Sequence, residues 1–282
     1  MVPPAERRLA AGGTFLSLRE REGGTPELLC LHGLASNARW WDPVGELLAP
    51  AHRVVAPDLR GHGLSDRPER GYGFPEVVSD LMAVLPQLGL LRPVAVGHSW
   101  GASVALELAA ADPAIGAVVC VDGGALDLKA AFGPDWEVAG PRMRPPRLAG
   151  LSRERVHAMV RASRLAAEVG EEEATEILLG NFEEAEVGLV PRLDLERHME
   201  IARALYELDQ PALLARVTCP VLFVMAVNDE GLEAAKRSSV AAARARLRGP
   251  SEAVFVSGLH DLPVQRPREV AAAIAAFLDR VL

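Results

Sequence analysis

The chain has 282 residues, 49% of them hydrophobic, and 30 Lys plus Arg stand against 38 Asp plus Glu, a net charge of −8. That length suits one large α/β domain or two smaller ones, and the acidic balance excludes a phosphate-backbone binder, which needs a basic footprint. No apolar run approaches the roughly 20 residues of a membrane span. The opening MVPPAERRLAAGG lacks the apolar core of a secretory signal, so a cytoplasmic location with no membrane or nucleic-acid partner is expected. Cys30, Cys120 and Cys219 each sit in an apolar run without metal-ligand spacing, which predicts buried reduced thiols rather than a metal site.

In chain order, short runs rich in β-branched residues predict strands: TFLSL from Thr14, ELLCL from Glu27, RVVAP from Arg53, PVAV from Pro93, AVVCV from Ala117, PVLFVMAV from Pro220 and EAVFV from Glu252. Most do not alternate, as befits strands covered on both faces of a parallel sheet. Helical patterns lie between them. One opens at Pro75 with Val78, Leu81, Met82, Leu85 and Leu88 at helical spacing, and Pro86 predicts a kink or an early end. A second runs from Ser99 through ASVALELAA to Asp112-Pro113, and a third spans 267–282 with Val270, Ile274, Phe277 and Leu278 on one face. The alternation predicts an α/β fold with a mostly parallel, doubly wound sheet.

The rhythm breaks between Leu126 and Leu214, where no convincing strand is found. A Pro/Arg-rich loop, AGPRMRPPRLAG, precedes helical stretches around Arg153–Val169, Glu171–Leu179 and Leu195–Leu208. Such an insertion is too long for a plain loop. It is expected to form a helical cap (126–214) over the carboxyl edge of a core made of 1–125 and 215–282. The acidic runs Glu171–Glu173 and Glu183-Glu184 are expected to be solvated helix faces.

Chemistry concentrates at Gly97-His98-Ser99-Trp100-Gly101, directly after one predicted strand and directly before a helix. In that context G-x-S-x-G is a nucleophile elbow: the glycines permit a tight turn, and the helix N-terminus favours a developing negative charge at Ser99. A serine hydroxyl needs a base, and the base needs an orienting carboxylate; in elbow enzymes these follow in the order acid, then His. His260 is the one late histidine, in SGLHDLP after the last strand. Asp229, ending the next-to-last strand, is the expected acid, with Asp122 and Glu230 as competitors; Asp261, adjacent to His260, is set aside. The oxyanion donors are expected to be the N–H groups of Trp100 and of Leu34, where His32-Gly33-Leu34 follows a strand. His32 is read as structural.

LHGLASN, the segment Asp58–Asp66 (DLRGHGLSD) and GHSWG together resemble the α/β-hydrolase superfamily, in its cap-bearing branch of esterases, C–C hydrolases and epoxide hydrolases, over nearly the whole chain. The resemblance implies a doubly wound, mostly parallel eight-stranded sheet with an inserted helical cap. It implies a structural role for the 58–66 loop, which makes Arg60 and His62 weaker site candidates. Similar epoxide hydrolases and haloalkane dehalogenases attack with aspartate, so serine at position 99 disfavours those activities. The expected activity is that of a cofactor-free carboxylesterase acting on small-molecule esters, as a monomer or homodimer. A C–C bond hydrolase or lactonase would use the same triad, and a hydrolase-fold small-molecule receptor would turn over slowly. Candidate pocket residues are Leu34, Trp40, Trp41 and Trp100 near the elbow, and Trp136, Met143, Met159 and Phe182 from the cap. Of these Trp40, Trp136, Met143 and Met159 are expected to line the substrate site, and Arg39, Arg142 or Arg144 could meet a carboxylate.

Overall fold

The computed structural model describes residues 3–146, 150–186, 188–228 and 230–282, excluding the side chains of 164, 165, 168 and 230–232. Its strands are β1 (Ala5–Ala11), β2 (Thr14–Arg21), β3 (Leu28–Leu31), β4 (Val54–Pro57), β5 (Val94–His98), β6 (Ala117–Val121), β7 (Phe182–Ala185), β8 (Gly188–Pro191), β9 (Val221–Val227) and β10 (Ser251–Ser257). Eight of them form one sheet in the order β1-β2-β4-β3-β5-β6-β9-β10. β1 and β2 pair antiparallel, as do β2 and β4, and the remaining neighbours are parallel.

The continuous apolar runs hide a period of two. In β9, Val221, Phe223 and Met225 pack on one side of the sheet with the helices Phe74–Leu88 and Trp100–Ala111. Leu222, Val224 and Ala226 face the other side, against the helices Asp42–Leu48 and Pro267–Val281. Both faces are therefore dry, and the strands read as unbroken hydrophobic stretches. β1 escaped the sequence reading because AERRLAA is an edge strand with mostly exposed residues. Pro86 does not stop its helix at once; the helix runs to Leu88 and ends on Gly89 in a left-handed turn. Only the last turn lacks the proline N–H, which limits the loss.

Between β6 and β9 the chain is mostly helical, with two departures from expectation. Helices Leu128–Phe132 and Trp136–Met143 form, the second running into the stretch read as a Pro/Arg loop. β7 and β8 pair as an antiparallel hairpin where no strand was expected, so Glu183 and Glu184 lie on a strand and not on a helix face. Four-residue strands carry too few periods to be seen in sequence. Phe182 and Leu189 anchor the hairpin in a small core with Val156, Val160 and Ala174. Among the described residues no helix is long and apolar enough to cross a membrane.

β3 sits between β4 and β5, so the chain leaves it in opposite directions on its two sides. At such a switch point the loops after β3 and β5 diverge and open a crevice at the strands' carboxyl ends. The 58–66 loop braces this edge. Asp58 accepts the N–H groups of Ala38 at 2.7 Å and Leu64 at 2.8 Å. Arg60 forks onto Asp80, with Nε and Nη2 each 2.6 Å from a carboxylate oxygen. Both partners are largely buried. Arg60→Ala strands the Asp80 carboxylate and is expected to cost about 3–5 kcal/mol, read as a lower urea midpoint, with Arg60→Lys recovering only part because it cannot fork.

Candidate active site

Ser99 stands between β5 and the helix Trp100–Ala111 at φ 54°, ψ −119°, a region that side chains avoid. Its N–H donates to Val121 O at 2.9 Å, which ties the turn to the end of β6. A Cβ on Gly97 would run into the Gly101 carbonyl, and one on Gly101 into the carbonyls of Leu31 and His32. The glycines of the motif are therefore required by backbone contact on both sides of the serine.

Ser99 Oγ lies 2.9 Å from His260 Nε2, and His260 Nδ1 lies 2.7 Å from Asp122 Oδ2. The carboxylate at this position is thus Asp122, where the sequence led us to expect Asp229; Asp229 itself lies outside the described residues. Asp122 follows β6, the immediate neighbour of the strand that carries Ser99. Asp122 leaves β6 at φ 42°, and Gly123 passes so close to the Ser99 carbonyl that a Cβ there would collide with it. The run Asp-Gly-Gly at the end of a buried strand was the signal in the sequence. The side chain of Glu230 is likewise not among those described.

Asp122 is 3% exposed and His260 55%. Burial raises the carboxyl's pKa, but hydrogen bonds from His260 and Lys236 outweigh it and hold the group below the usual carboxylate range. Its second oxygen, Oδ1, accepts the Ala226 N–H at 3.0 Å and Lys236 Nζ at 2.6 Å. His98 Nε2 donates to the His260 carbonyl at 2.8 Å, so the elbow also holds the loop that carries the base. Complete burial pushes the His98 imidazole down to about 3 and keeps it neutral.

The loop after β3 runs alongside the elbow. A Cβ at Gly33 would stand 3.3 Å from Ser99 Cβ and 3.2 Å from His98 Nδ1. Trp100 N–H is at the first helical position, where the helix offers it no acceptor. Among the described residues neither it nor Leu34 N–H donates to a protein acceptor. Two free donors beside a serine hydroxyl suit a developing oxyanion.

A sequence profile described as "Alpha/beta hydrolase family" matches residues 28–273. The chain belongs to that family. The 2-(acetamidomethylene)succinate hydrolase of Mesorhizobium japonicum is 36% identical over 117 residues, which is 41% of this chain and 42% of the relative. Epoxide hydrolase A of Mycobacterium tuberculosis is 39% identical over 108 residues, 37% of this chain and 34% of the relative. The chain therefore aligns with less than half the length of either relative. A crystal structure of E-2-(acetamidomethylene)succinate hydrolase superposes with a TM-score of 0.77 at 25% identity, covering 98% of this chain and 99% of that one.

Other residues singled out in the sequence divide into clamps and packing groups. His32 accepts the Leu59 N–H at 3.0 Å and donates to Gly33 O at 2.8 Å. His62 accepts the Ala35 N–H at 3.2 Å and donates to Arg60 O at 3.0 Å, and its ring stacks on Trp100 at 5.5 Å. Both imidazoles hold the loop of Leu34. Trp40 is buried with Ile177 and Val264 and lies 6.5 Å from the His98 ring, while Trp41 is in the core beneath the sheet. Trp136 packs on Tyr206, with ring centroids 5.3 Å apart. Met143 is half-buried and hydrogen-bonds His198 through its backbone; Met159 is 41% exposed to solvent. Among the described residues no group of three His, Cys, Asp or Glu side chains could hold a metal.

Buried neutral clamps make the fold acid-labile. Burial lowers His32 from 6.5 to about 4 and His62 further still, so below 6.5 the unfolded chain takes up protons that the folded chain refuses. Stability should therefore fall as pH drops from 6.5 towards 4, by about 1.4 kcal/mol per pH unit for each imidazole. Urea unfolding at pH 7 and pH 5 measures the slope, and His32→Gln should remove one imidazole's share.

Proposed function

We propose that this hydrolase is a serine esterase that cleaves small-molecule carboxylic esters through an acyl-enzyme. The carrying observation is the unbroken line from Ser99 Oγ through His260 to Asp122, at 2.9 and 2.7 Å. Ser99 attacks the ester carbonyl while His260 Nε2 takes its proton, and Asp122 orients the ring and stabilises the imidazolium. The N–H groups of Leu34 and Trp100 hold the tetrahedral oxyanion. His260 returns the proton to the leaving alcohol, then deprotonates the water that releases the acid. Serine at the attacking position argues against epoxide opening and dehalogenation.

The segment 126–214 serves as a cap. A cavity of about 570 Å³ between Ala35 of the oxyanion loop and Pro145, Val190, Leu193 and His198 of that segment supports this assignment, although neither Ser99 nor His260 lines it. A second reading, hydrolysis of a substrate that itself bears a carboxylate, is favoured by Arg67, Arg144 and Arg192 on the same wall. The printed name of the succinate-derived relative points the same way. Parallel assays of neutral and carboxylate-bearing p-nitrophenyl esters separate the two.

The decisive experiment is labelling with a fluorophosphonate and locating the adduct by peptide mass, alongside those assays. Ser99→Ala should abolish the adduct and lower kcat by about 10⁴-fold or more. Asp122→Asn should lower kcat by about 10³–10⁴-fold. Full turnover by Ser99→Ala overturns the mechanism. Retention of activity by Asp122→Asn together with its loss in Asp229→Asn overturns the choice of acid.

A further inference from the structure

Lys236 comes from the helix Glu230–Arg244, far in sequence from every motif of the site. Its Nζ lies 2.6 Å from Asp122 Oδ1 and 2.8 Å from Ala226 O, and its side chain is 20% exposed. The two oxygens of Asp122 are thereby divided. Oδ1 takes Lys236 and the Ala226 N–H, and Oδ2 is left for His260 Nδ1. We propose that Lys236 is a positioning residue of the catalytic base, which fixes the rotation of the Asp122 carboxylate and limits how strongly that carboxylate holds a proton on His260. This rests on the serine-hydrolase reading given above.

The charge balance gives the direction. In the resting site the charge of Lys236 offsets that of Asp122. Once His260 takes the Ser99 proton, the imidazolium faces a carboxylate that is already compensated. Without Lys236, the buried carboxylate would have imidazolium as its one cationic partner in the cluster, and His260 would stay protonated to higher pH. Lys236 therefore keeps Ser99 reactive at lower pH and makes the imidazolium a readier acid towards the leaving group. The other polar groups around His260, among the described residues, come from three further segments. Ser99 and His98 belong to the elbow, and His98 is neutral. Asp261, next in the chain, is pushed up by burial, and Arg266 donates to Ser257 O at 3.1 Å. None of them contacts Asp122 as Lys236 does.

The test is the pH profile of the second-order rate of Ser99 phosphonylation, which needs no knowledge of the substrate. Lys236→Met should move the acid limb up by about one to two pH units, the size of one charge removed beside a carboxylate at an effective dielectric near 20. Lys236→Gln, which keeps a donor without the charge, should move it likewise, and Lys236→Arg should hold it within about 0.3 unit of wild type. Gln and Arg keep the comparison open if the Met variant melts early. An acid limb that coincides with wild type in a folded Met or Gln variant overturns the role of Lys236 while Ser99 labelling stands. Absence of any wild-type adduct overturns the serine-hydrolase reading, and this inference with it.

Discussion

Three backbones meet around Ser99, from the ends of β3, β5 and β6, and a methyl group on Gly97, Gly101 or Gly123 would drive one of them into its neighbour. That closeness sets everything else at this edge. It brings the Leu34 loop beside the nucleophile and puts Asp122 within reach of the same imidazole. It also leaves Trp100 N–H at an open helix end. The cost is the Ser99 backbone itself, held at φ 54° in a conformation worth of order 1–3 kcal/mol of strain. The hydrogen bond from Ser99 N–H to Val121 O, and the packing of two dry sheet faces, keep it there.

Much of this was legible in the sequence because it rests on local signals. A buried strand, G-x-S-x-G and a helix in direct succession fix the elbow, and the last histidine after the last strand fixes the base. The acid was harder to read, since both β6 and β9 lead into an aspartate. Which of the two faces His260 depends on the path of each turn beyond its strand, which composition does not reveal. Asp-Gly-Gly at 122–124 was the available clue, a carboxylate followed by a residue that must pass the Ser99 carbonyl without a side chain. The hairpin of β7 and β8 and the edge strand β1 were missed for a different reason. Short or solvent-facing strands derive their pairing from tertiary contacts, not from a hydrophobic period of their own.

Two kinds of polar group surround the reaction centre, and they do opposite work. His32, His62 and His98 are buried and uncharged, each committed to backbone partners that hold loops in place. Their low basicity follows from burial and keeps them out of proton transfer near neutrality. Asp122, Lys236 and His260 form a line of ionisable groups that is most open to solvent at the imidazole. The division explains why a chain with several histidines around one serine has a single evident base.

The triad is also a record of how the chain comes together. Asp122 and His260 are 138 residues apart, and Ser99 and His260 are separated by 161. His260 follows β10, the outermost strand of the parallel run, whose pairing with β9 sets Ser251 beside Val221. A chain that has paired β5 with β6 but has not docked β10 lacks the line of hydrogen bonds from Ser99 through His260 to Asp122, however complete its elbow.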